Sequence, residues 1–239
     1  RYHWLKNELH FDPARLLEQP CRRFYQWRAS LDPHEITLVF PAAYLNNPAS
    51  MYGHTLLRID AKDQDEHTRL LSYSISYAAG TDETSGLIFA VRGLFGGYPG
   101  VFAITPYYLK VREYSDIENR DVWEYQLTLT PSEIDRLLMH TWELGPTHFD
   151  YYFFDENCAY HLLSLLEVAR PGLELTDRFR WWAIPSDTVR AVAEQPGLVK
   201  RVVYRPATAT IIRQRLTQMD VRQSGLARGL VERKILTAD

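Results

Sequence analysis

The sequence has no run approaching the ~20 consecutive apolar residues that a membrane span requires. Its first ten residues, RYHWLKNELH, also lack the apolar stretch of a signal peptide. Because the chain opens on Arg1 rather than Met, it reads as trimmed, with a signal segment or anchor removed. Cysteine is scarce: Cys21 and Cys158 are the two in 239 residues. One bridge would not make a disulfide framework in a domain of this size, so both are read as thiols. No Cys or His pair has zinc-finger spacing, and no metal is expected. The stretch GLFGGYPG (93–100) lacks the Gly-Lys-Ser/Thr ending of a phosphate loop, and no G-x-S-x-G serine elbow occurs. No cofactor, repeat or low-complexity segment is in view. A formal net charge of −3 argues neither for nucleic acid nor for a strongly anionic partner, and no nucleic acid is expected.

What is abundant is apolar and aromatic material. The chain is 46% hydrophobic and 13% aromatic, enough to bury a substantial core in one domain. Fifteen Tyr and six Trp suit a groove or interface where an apolar body meets a polar rim. Charge becomes one-sided only between Leu198 and Leu236, where nine Lys or Arg face two acids. That stretch reads as a solvated helical tail, with anionic lipid heads as the alternative partner.

Along the chain, residues 13–29 suggest one or two short helices broken at Pro20. ITLVF (36–40), HTLLRI (54–59) and LLSYSISYA (70–78) are rich in strand formers, with VWEYQLTL (122–129) and VKRVVY (199–204) as further strands. Residues 85–100 read as a short apolar helix closed by glycines, and FDYYFF (149–154) as an extended aromatic approach. Thr130, Pro131 and Glu133 form a capping-box start for a helix over 130–144. DENCAYHLLSLLEVA (155–169) is a helix ending before Pro171-Gly172, and another begins near Ser186. The pattern is α+β, with meandering strands and helices added at both ends. Three parts are expected: an N-terminal helical cap (1–35), a catalytic domain (36–195), and a strand with a basic helical tail (196–239).

A thiol attacks an acyl carbon as thiolate, and a helix N-terminus beside an imidazole is one way to lower its pKa. Asp155, Glu156 and Asn157 suit a helix start, which places Cys158 in the first turn. The competing reading is a small buried hydrophobe packed with Leu162 and Leu165. His54 follows Tyr52-Gly53 at a strand edge, where glycine lets the backbone turn and leaves an imidazole near open space. His161, three residues after Cys158 on the same helical face, is the rival base. If the thiol is activated, alkylation should persist at mildly acidic pH.

These residues resemble the Lnb N-terminal periplasmic domain family of Gram-negative bacteria, through SMYGHTLLRID (50–60), LLSYSISYAA (70–79), GGYPGVF (96–102) and YYFFDENCAYHLL (151–163). The resemblance implies a permuted papain-type (NlpC-like) fold with an antiparallel sheet. As in lecithin:retinol acyltransferase, the histidine strand would precede the cysteine helix; here His54 precedes Cys158 by 104 residues. It further implies periplasmic location, membrane association, and transfer of a fatty acyl group from phospholipid to a lipoprotein amine. A cysteine peptidase or amidase acting on cell-wall peptides, and a non-catalytic binding domain of the same fold, remain alternatives.

On this reading Cys158 is nucleophile and His54 general base. Where the family pattern places an Asn, Ser76 would orient the ring. Tyr152, or Tyr151 by strand alternation, would join the Cys158 backbone N–H at the oxyanion. Tyr52, Tyr151, Asn157 and His161 are the expected substrate-binding residues.

Overall fold

A computed structural model describes residues 2–18, 20–42, 53–65, 68–81 and 85–231. Among the described residues, seven strands form one antiparallel sheet: β1 (Glu35–Pro41), β2 (Leu56–Asp60), β3 (Tyr73–Ala79), β4 (Pro99–Pro106), β5 (Val122–Leu127), β6 (Phe149–Asp150) and β7 (Val199–Arg205). Their order is β6-β4-β3-β2-β1-β5-β7. Helices precede, interrupt and follow the strands, so the class is α+β.

Side-chain alternation makes the sheet two-sided. Ile36, Leu38, Leu57, Ile59, Ile75 and Tyr77 enter one large apolar core. Two helices cover this face, α5 (Pro131–Leu144) and α6 (Cys158–Ala169). Leu137 and Leu138 come from the first, Leu162, Leu165 and Leu166 from the second, and all five are buried. The start of α5 follows its sequence: the Thr130 side chain accepts from the Glu133 N–H, Glu133 answers the Thr130 N–H at 2.7 Å, and Pro131 occupies the first turn.

The opposite face carries the alternate residues, and it is polar at depth. Arg58 is fully buried; its guanidinium donates to Asp60 at 2.5 and 3.2 Å and pairs with Glu124 at 2.9 Å. Thr37 donates to Asp60 at 2.6 Å and Tyr107 to Glu124 at 3.2 Å. Burial works against the Arg58 charge, but Asp60 and Glu124 outweigh it and hold the pKa above its usual value. This face is covered by α4 (Tyr107–Val111), which runs on into a π-helical turn, Arg112–Ile117. Tyr107 and Tyr114 join Val39, Leu56 and Val122 in a second, smaller apolar cluster there.

Several boundaries differ from the expectation. The helix over 155–169 begins only at Cys158, because Asn157 caps it. Of the extended segment 149–154, only Phe149–Asp150 pairs as a strand. At the N-terminus α1 (Tyr2–Leu9) and α2 (Arg22–Leu31) flank Pro20, and α2 sets Phe24 and Trp27 against Trp142 of α5. Strand β7 pairs with β5 and so belongs to the same sheet as the expected central domain. Beyond α7 (Pro185–Glu194) and β7 lie α8 (Thr208–Thr217) and α9 (Val221–Val231).

Candidate active site

Cys158 is the first residue of α6 and is 1% exposed. Asn157 sets its position: Oδ1 accepts from the N–H groups of Ala159 (2.9 Å) and Tyr160 (3.3 Å). Its Nδ2 donates to the carbonyls of Phe153 (3.0 Å) and Ala183 (2.7 Å). Expected to bind substrate, Asn157 has its amide committed to the cap and to two neighbouring segments; it is a positioning residue.

Burial pushes the Cys158 thiol up, opposed by the Thr55 N–H and hydroxyl, the Tyr151 hydroxyl and the Ala159 N–H. The net direction is upward. This corrects the expectation of a thiol lowered by its helix start: loss of hydration costs the thiolate more than four nearby donors return. The Thr55 hydroxyl faces the sulfur without a hydrogen bond of full geometry to any described atom.

Thr55 is the residue after His54, so the cysteine helix and the histidine segment meet at this point. Gly53, at φ +100°, makes the turn, and a Cβ there would stand 2.5 Å from the Phe40 ring. The His54 N–H donates to the Pro41 carbonyl at 3.3 Å, anchoring the segment to the end of β1. The His54 ring centroid is 6.2 Å from that of Tyr114. Burial first, then the charges of Lys110 and Arg120, lower the His54 pKa to about 3. The resting pair is therefore a neutral imidazole and a protonated thiol. A neutral imidazole is a proton acceptor, and with its pKa lowered to about 3 its conjugate acid gives the proton up readily.

The other expected residues divide. Tyr151 is buried and its hydroxyl reaches the sulfur, whereas Tyr152 rests its ring on Gly96. Between the two phenols, the extended segment thus turns Tyr151 toward Cys158, a correction to the preference for Tyr152. Ser76 is buried on β3, on the sheet face shared by Ser74 and Arg58. The described surroundings of the His54 ring are Tyr114, Lys110 and Arg120, with Ser76 not among them. His161 packs on Tyr77 at 4.1 Å and Phe149 at 5.3 Å. Burial lowers its pKa to about 4, and its Nε2 has no partner among the described residues. Tyr52, with the turn residues before Gly53, lies outside the described residues.

Tyr114 is the residue the sequence reading missed. Its ring lies beside His54 and beneath the cations of Arg120 (4.9 Å) and Lys110 (5.7 Å). Its pKa is raised well above the ordinary value by burial, then by Glu113, with Cys158 among the further contributors. Tyr114 is thus common to the neighbourhoods of ring and sulfur. A π-helical turn is uncommon and recurs at functional sites, but the sequence REYSDI carries no signal for one.

Among the described residues, no group of three or more His, Cys, Asp or Glu converges to hold a metal ion. Neither Cys21, which is exposed, nor Cys158 forms a disulfide. No described helix is long and apolar enough to cross a membrane. No curated protein matches the chain, and no solved structure does. A match over residues 23–195, which takes in the sheet up to β6, the His54 segment and the Cys158 helix, shows that the chain belongs to the Lnb N-terminal periplasmic domain family.

Proposed function

We propose that this is a periplasmic cysteine acyltransferase or hydrolase built on a permuted papain-like core. The observation that carries the reading is the meeting of Thr55 with the Cys158 sulfur, which joins the histidine segment to the cysteine helix across 104 residues. The order of these two elements along the chain and the antiparallel sheet support the permuted core.

In the first half-reaction the Cys158 proton passes to His54 as the sulfur bonds to the acyl carbon. The carbonyl oxygen becomes an oxyanion, which the Cys158 N–H at the helix start and the Tyr151 hydroxyl stabilise. On its collapse the bond to the leaving oxygen breaks, that oxygen takes the proton from His54, and a thioester remains on Cys158. An amine, alcohol or water then gives a proton to His54 and attacks the thioester carbon, and the thiol departs reprotonated. A phospholipid ester as donor and a lipoprotein amine as acceptor fit the family and the aromatic surroundings of the site.

One observation favours a second reading, a binding domain of the same fold. The thiol is raised and the imidazole lowered, a pair with little tendency to ionise at rest. Intact-mass spectrometry after incubation with phospholipid separates the two. A hydroxylamine-sensitive acyl adduct on Cys158, absent in Cys158→Ser, supports acyl transfer. No adduct with lipid but turnover of cell-wall peptides moves the activity to a peptidase or amidase; no reaction with either leaves the binding domain.

A further inference from the structure

Large apolar side chains are exposed together beside the start of α6. Helix α3 (Gly86–Leu94) turns Ile88 (48% exposed), Val91 (49%) and Leu94 (43%) to solvent, and Phe95 at its end is 78% exposed. In the segment before α7, Trp181 and Trp182 are 81% and 60% exposed. The two stretches are stitched to one another and to the cysteine helix. Gly93 of α3 lies flat on Phe153, where a Cβ would come within 2.2 Å of the ring, and the Phe153 N–H donates to the Gly93 carbonyl at 2.9 Å. The Ala183 N–H donates to the Phe154 carbonyl at 2.7 Å, and Ala183 in turn accepts from Asn157, the cap of α6. The patch therefore sits on the element that holds Cys158 in place.

Its composition selects the partner. Residues 85–98 and 179–184 carry Arg92 and Arg180, both exposed, and no acid. Arg92 lies with its guanidinium carbon 5.7 Å from the Tyr98 ring centre. Tryptophan and phenylalanine between arginines match the boundary of a phospholipid layer, where apolar bodies enter the acyl region and cations meet phosphate. The acids nearest in sequence, Asp82 and Glu83 before the first stretch and Asp177 and Asp187 on either side of the second, fall outside these stretches, and Asp187 pairs with Arg190 at 3.3 Å. We propose that Ile88, Val91, Leu94, Phe95, Trp181 and Trp182 form a docking surface for an anionic phospholipid bilayer, which holds the site against its lipid. The surface itself is argued from exposure and charge; its use in delivering an acyl donor rests on the acyl-transfer reading above.

The test is co-sedimentation of the protein with vesicles of phosphatidylcholine alone and of phosphatidylcholine with 30% phosphatidylglycerol, a composition set at roughly the anionic content that attracts basic patches. The wild type should bind the mixed vesicles, more tightly than the neutral ones. The triple variant Phe95→Ser, Trp181→Ser, Trp182→Ser should lose more than tenfold in partition while keeping its unfolding temperature, since all three side chains are exposed. Arg92→Gln with Arg180→Gln should remove the preference for anionic vesicles. Cys158→Ser should bind as the wild type does, so that failure of docking and failure of catalysis are read separately. Equal binding by the triple variant, or no vesicle binding by the wild type, overturns the proposal. So does a wild-type dimer in light scattering that the triple variant abolishes, which would give this face to a second copy of the chain.

Discussion

The two faces of the central sheet are built on opposite principles. On the α5 and α6 side, Leu57, Ile59 and Ile75 meet helical leucines, and stability comes from removing apolar surface from water. On the other side, the same strands bury Arg58, Asp60 and Glu124, and stability there depends on mutual neutralisation in a poor solvent for charge. The candidate site lies where the two regimes meet. Cys158 comes from the apolar side, while the His54 ring packs with Tyr114, Lys110 and Arg120 from the polar side. The contrast explains the resting electrostatics: the sulfur is starved of water, and the imidazole is held neutral by burial and by nearby cations.

The comparison can be tested by substitutions on each side. The largest effect is expected at the junction: His54→Gln should slow thioester formation by about 10²- to 10⁴-fold with little change in unfolding temperature, read by quenched intact-mass kinetics. A variant acylating at the wild-type rate would remove His54 from the chemistry. On the polar face, Arg58→Met strands the buried Asp60 carboxylate without a cation and leaves Glu124 to Arg205, and should cost about 3 to 5 kcal/mol in denaturant unfolding. Leu165→Ala on the apolar face should cost about 3 kcal/mol by opening a cavity. If the leucine change proved the costlier by a wide margin, the ionic network would be contributing little.

Glu133, tied to Arg170 at 2.6 Å and to the start of α5, has its pKa lowered to about 2, first by that hydrogen bond. A carboxylate depressed in the folded state stabilises fully above its unfolded pKa and progressively less as pH falls through the folded one. Glu133→Gln should therefore cost about 1 to 2 kcal/mol near neutrality after discounting for solvent screening. The gap from wild type should close between pH 4.5 and about 2. The smallest effect concerns the thiol: iodoacetamide should label resting Cys158 appreciably only above pH 9, the ordinary value that burial raises. Brisk labelling at pH 6 would show that the sulfur is activated without substrate.

Legibility in the sequence followed the same divide. Where one face of an element is apolar and its ends are capped, local rules sufficed: Thr130, Pro131 and Glu133 located α5, and Gly53 located the turn before His54. The polar face defeated them, because nothing local in the strands around Arg58 and Glu124 marks these charges for burial. Their burial depends on partners in β5, β7 and α4, distant in sequence. Tyr114 was hidden for a related reason, its π-helical turn being held by packing around Tyr107, Arg120 and His54 rather than by any periodic pattern. The choice between Tyr151 and Tyr152 turned on the contact of Tyr152 with Gly96, which alternation alone does not determine.

The family match ends at residue 195, yet Arg205, at the end of β7, pairs with Glu124 at 2.7 Å. Two cations and two anions share that interior, so the matched stretch alone is one positive charge short of electroneutrality. It would also leave β5 as a bare sheet margin, open to pairing with whatever strand it met. The autonomous folding unit therefore extends past the recognisable sequence, and excision at the family boundary would yield a polypeptide prone to self-association.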